Sequence, residues 1–110
     1  MEQAEIQQAR VQAASIAAAV LAGEISPLLA AIDLNRMRSS VAVADDDADF
    51  DTFMAIDSEC DGLPIGSVRS HWAPEALARK EPEIRRAERW AIDVGYNAFW
   101  SVVRRFAPAA

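Results

Sequence analysis

A single cysteine and a single histidine in 110 residues allow no internal disulfide, and no structural zinc site unless carboxylates complete it. No glycine-rich phosphate loop, G-x-S-x-G elbow or H-E-x-x-H helix occurs, so the chemistries those motifs serve have no support. Long apolar runs are missing too. The most apolar N-terminal stretch holds 11 residues, Ala13 to Gly23, well short of the roughly 20 needed to span a bilayer. It does not read as a secretory signal either, because Glu2 and Glu5 stand against Arg10 alone where a net positive region is required. A mature helix in a cytoplasmic protein is the expectation, and the unpaired Cys60 agrees with a reducing compartment. Basic residues are in deficit, 11 against 17 acidic ones for a net charge of −6, which disfavours nucleic acid or an anionic membrane as the main partner. No repeat and no low-complexity linker interrupts the chain.

What is present looks globular. Apolar residues make up 52% and charged residues 25%, which fits one domain over residues 1–110 with a single core. From Glu2 to Ala22 there is no Pro or Gly, and Ile6, Ala9, Ala13, Ile16 and Val20 recur at helical spacing. Gly23 suits the left-handed residue that ends a helix. Ser26-Pro27 then reads as N-cap and first residue of a second helix to about Ser39, with Leu28, Ala31, Ile32 and Asn35 on one face and Arg36 and Arg38 near its end. So short a link predicts an antiparallel hairpin. Val41 to Ala44 reads as an extended connector.

The middle of the chain is unusual. Asp45 to Asp61 holds eight carboxylates and no Lys or Arg. Phe50, Phe53 and Met54 fit helical spacing, with the preceding aspartates at the positive end of the helix dipole, while a strand over Thr52 to Ile56 competes. Residues 61–66 read as turn and loop. Pro74 can open a short helix through Lys80, and Pro82 either kinks it or starts a last helix running to Phe106. That last helix carries two apolar stripes, Ile84, Ala87, Ala91, Val94 and Ala98, then Ile92, Tyr96, Phe99, Val103 and Phe106. Its second half is therefore expected to be buried broadly or shared with another chain.

Each candidate chemistry competes with a simpler reading. Asp57, Glu59, Asp61 and Gly62 imitate the first half of a calcium loop, but Val68 stands where the bidentate carboxylate is required and Pro64 sits in the eighth position. A solvated acidic loop explains them better. His71, with Glu59 or its neighbouring carboxylates, would make a general acid–base pair only if the loop folded back. Arg69 is expected to pair with the acidic loop, and Trp72 to anchor it. Cys60 lies between Glu59 and Asp61, which disfavours a reactive thiolate. Lys80, Arg85, Arg86 and Arg89 alternate with Glu81, Glu83 and Glu88, a solvated face of mixed sign rather than a nucleic-acid footprint.

The stretch Ile56-Asp-Ser-Glu-Cys-Asp-Gly-Leu-Pro-Ile-Gly-Ser-Val-Arg69, followed by His71-Trp72, Glu75-Ala-Leu77, Lys80, Glu83 and Glu88, resembles a family of small uncharacterised bacterial proteins with I-D-S-E, L-P-x-G-x-V-R and W-x-x-E-A-L elements. The resemblance covers the second half of the chain. It implies a bacterial source, transfers no catalytic residue, and groups the acidic loop, Arg69 and Trp72 as one unit.

The expected fold is mainly α: a small helical bundle with an N-terminal hairpin, an acidic middle loop or short helix, and a long C-terminal helix. The expected function is a non-enzymatic interaction module without cofactor, either self-associating as a homodimer or binding a basic protein as an immunity or inhibitor protein would. Arg69, Trp72, Trp90, Phe99 and Trp100 are its candidate contact residues. The alternative is a small enzyme or ligand-binding domain built on the acidic loop and His71. The net charge is itself divided, with −8 from residues 45–61, +3 from 68–105 and −1 from the first 44. This division weakens the charge argument against nucleic acid and predicts that acidic segment and Arg-bearing helix pair, within the chain or across a dimer.

Overall fold

An uninterrupted run of helix formers lets α1 extend from Gln3 to Leu21 in the computed structural model, which describes residues 2–108. Gly23 follows at φ 75°, where the absent Cβ removes the steric penalty of the left-handed region. Ser26 then caps α2 (Pro27–Arg36), its hydroxyl accepting the Leu28 N–H at 3.2 Å, and Pro27 occupies the first turn where no donor is missed. Asp47 caps α3 (Ala48–Glu59) by accepting the Phe50 N–H. A six-residue 3₁₀ helix, Gly66–His71, precedes α4 (Pro74–Phe106). At about 1.5 Å rise per residue α4 should be about 50 Å long, and it sets the 47 Å long axis of the molecule. The domain is a small all-α bundle, as expected.

Several boundaries differ from expectation for identifiable reasons. Residues 49–56 are helix, because a capped N-terminus and the buried positions Phe50, Phe53 and Ile56 favour helical over extended pairing. α2 ends at Arg36, and residues 37–42 turn instead of extending. Arg10 holds that turn from α1, donating Nε to the Val41 carbonyl at 2.9 Å, while Val41 is fully buried. α4 passes through Pro82 without ending. Pro82 is exposed and deprives the helix of one backbone donor, while Ile84 on its far side is buried and keeps the following turn against the core.

The N-terminal pair of helices is present, yet their mutual contact is minor. α1 packs chiefly on α4, and α2 chiefly on α3. Small residues suit the first of these: Ala13, Ala14 and Ala17 on α1, with Ala91 and Ala98 on α4, are all buried. The buried side of α4 also includes Phe99 and Val102, so it lies between the two stripes predicted and leaves Val94 and Tyr96 outside, 44% and 51% exposed.

Gly95 shows how tightly α4 also packs on α3. A Cβ there would lie 2.8 Å from Cε2 of Phe99 and 3.1 Å from Cδ1 of Ile56. Gly-to-Ala in a helix normally gains about 1 kcal/mol. Here Gly95→Ala is expected to lose about 1–2 kcal/mol in urea unfolding, because a fully packed ring must move; a net gain would contradict the packing described.

Candidate functional site

The acidic segment is held by arginines from both sides. Arg105, in the last turn of α4, donates Nη2 to Asp47 Oδ1 and Nη1 to Asp49 Oδ2, each at 2.8 Å. Ser101 Oγ donates to the same Asp49 oxygen at 2.6 Å. From α2's end, Arg38 donates Nη1 to the Asp45 carbonyl and Nη2 to Asp51 Oδ1, both at 2.8 Å. Asn35 Nδ2 reaches Asp57 Oδ2 at 3.0 Å. The expected pairing of acidic segment and C-terminal helix thus occurs within the chain. Burial alone would raise the Asp47 pKa, but the Arg105 hydrogen bond and the Phe50 N–H outweigh it and hold the carboxyl below its ordinary value. The same contacts push Arg105 higher still, against its own partial burial.

Arg69 does not take part. It pairs with Glu81 on α4 and donates Nη1 to the Pro64 carbonyl at 3.3 Å, so it ties the 3₁₀ turn to the last helix. Arg105, in the last turn of α4, and Arg38, in the turn just past α2, do the work expected of it, because both lie beside Asp45 to Asp51 at the start of the acidic segment, whereas Arg69 lies beyond the reversal at Gly62 and Pro64.

The carboxylates that imitate a calcium loop, Asp57, Glu59 and Asp61, are dispersed. Residues two apart on a helix are separated by about 200°, so Asp57 and Glu59 leave α3 on opposite sides. Asp57 and Asp61 line one concavity with Trp72, and Glu59 lines another with Trp90. No group of three or more metal-ligating side chains forms among the described residues. His71 is exposed at the end of the 3₁₀ turn and lines neither concavity, so neither Glu59 nor the other carboxylates orient it as a general base. Cys60 is buried, with Sγ 3.5 Å from the Asp57 carbonyl. Burial first and then the charge of Asp57 push its thiol above the usual range, which keeps it protonated and non-nucleophilic at neutral pH.

The contact residues divide. Trp72 is half-buried in its concavity. Trp90 and Trp100 are 37% and 39% exposed. Phe99, in contrast, is fully buried, its ring 5.2 Å from that of Phe53, and is corrected from contact residue to core residue. One step of 100° along the helix carries Trp100 out of the core that Phe99 fills. Tyr96 joins Trp100 on the outer side, between the half-buried Ile92 and Val103. Sequence reasoning missed Arg36, which lines the Trp72 concavity; its place near the end of α2 suggested only a dipole role.

No helix among the described residues is long and apolar enough to cross a membrane. Comparison with protein-family models, curated proteins and solved structures finds no match to this chain.

Proposed function

We propose that the protein is a non-enzymatic interaction module of the cytoplasm that associates with a second copy of itself through the outer side of α4. The carrying observation is the exposure of Tyr96 and Trp100 between Ile92 and Val103. These four residues follow spacings of four, four and three and form a stripe running along the helix. Exposed aromatics grouped in this way are the usual anchors of protein contacts. Asp93 and Arg104 flank the stripe and belong to no ion pair among the described residues. An antiparallel two-fold pairing of α4 places Asp93 opposite the partner's Arg104 at both ends, with the aromatics between. The basic-partner reading has less support, because Asp47, Asp49, Asp51 and Asp57 already have partners inside the chain.

Light scattering is expected to give twice the chain mass, and Trp100→Glu to raise the dimer dissociation constant at least about 30-fold, as loss of a central aromatic anchor does. Asp93→Arg and Arg104→Asp should each weaken the dimer and together restore it. A wild-type chain that stays monomeric at high concentration overturns the reading.

A further inference from the structure

The concavity beside Trp72 combines features that the self-association surface does not use. It measures about 320 Å³ and is built by α2, the end of α3, the loop after it and the 3₁₀ turn, with no residue of α4. Gly62, at φ 87°, reverses the chain after Asp61 so that Leu63 and Ile65 return to the same hollow. Ile32, Val68 and Trp72 supply more of its apolar wall, and Arg36, Asp57 and Asp61 stand on its lining. Asp57 Oδ2 accepts from Asn35 Nδ2. Among the described residues neither Arg36 nor Asp61 belongs to an ion pair, and Asp57 belongs to none either.

Mixed charge selects the ligand. A purely anionic molecule would meet two carboxylates, and a purely cationic one would meet the guanidinium. A small zwitterion satisfies both, since the planar fork of Arg36 matches a carboxylate and two aspartates can share an ammonium group. The volume lies at the small end of the range for ligand pockets, roughly 300–1,000 Å³, which suits a molecule of amino-acid size. We infer that the concavity binds a free α-amino acid with an apolar side chain, carboxylate toward Arg36, ammonium toward Asp57 and Asp61, and side chain against Trp72 and Val68.

L-leucine titrated into the ¹⁵N-labelled full chain tests this. The expected result is a saturable shift of the Trp72 indole N–H, assigned with Trp72→Phe, and of the Asp61 and Gly62 amides. Isopentylamine and 4-methylpentanoate, which lack the carboxylate and the ammonium respectively, should each bind at least about tenfold more weakly. Arg36→Ala and Asp61→Asn, both at exposed positions, should lose binding by a similar factor with unchanged thermal midpoints, and Trp100→Glu should bind as the parent does. Absence of saturable shifts with L-leucine and L-phenylalanine overturns the proposal. So does equal binding of the amine, or retention of affinity in Arg36→Ala.

Discussion

Phe99→Ala is expected to destabilise the domain by about 3–5 kcal/mol, the range for emptying a buried phenylalanine site, and to lower the thermal midpoint by roughly 15 °C. The ring is fully buried. It lies 5.2 Å from Phe53, which meets Phe50 edge-on at 5.3 Å, so three aromatics from two helices share one packing unit. Gly95 sits against the same ring, and backbone cannot collapse freely into the space left. Urea unfolding checks the loss, and the contrast with Trp100→Ala checks its origin. That neighbouring ring is 39% exposed, so its removal should alter monomer stability little and association strongly. A Phe99→Ala loss below about 1 kcal/mol would mean that the core closes over the void.

The second large effect falls on Asp47. Its side chain does two things at once, capping α3 through the Phe50 N–H and receiving both terminal nitrogens of Arg105. Losing a cap typically costs about 1 kcal/mol, and a charged hydrogen-bonded pair that is partly solvent-screened adds about 1 more. Asp47→Ala should therefore lose about 2 kcal/mol, and Asp47→Asn, which retains a capping oxygen but not the charge, about half as much. The pH dependence has a definite sign. Because the folded carboxyl titrates below its unfolded value, its contribution is complete above roughly pH 4 and disappears as the pH falls through the folded pKa. Arg105 stays protonated throughout. The parent chain should thus lose more stability on acidification from neutral pH than Asp47→Asn does; parallel curves would contradict the assignment.

Helix class and helix starts were legible because they rest on local chemistry. Gly23, Ser26-Pro27 and Pro74 each act within a turn of their own position. α3 was ambiguous because so short a run, with only three fully buried side chains, satisfies either period weakly. The burial of α4 was misjudged for a related reason: its angular centre is decided by where α1 and α3 lie, and that cannot be read from α4 itself. Charge segregation foretold that the acidic segment pairs with the last helix, but the choice of Arg105 over Arg69 depends on a contact spanning 58 residues. The Trp72 hollow was half legible. Asp57, Asp61 and Trp72 stood out as neighbours in sequence, whereas Arg36 joins them only because α2 packs on α3.

The order of these contacts along the chain bears on how the protein is made. α2 and α3 are close in sequence and pack mainly on each other, so they can associate as soon as both have left the ribosome. α1 precedes α2 and α3 in the chain, yet its principal partner is α4, which follows them, and Arg10 lies over the Phe106 ring at 5.4 Å. Its alanine face must therefore wait, uncovered, until α4 has been made. Alanine buries little area per residue and attracts other chains less than leucine or phenylalanine would. A small-residue α1 is thus suited to a nascent chain in which its covering helix follows α2 and α3.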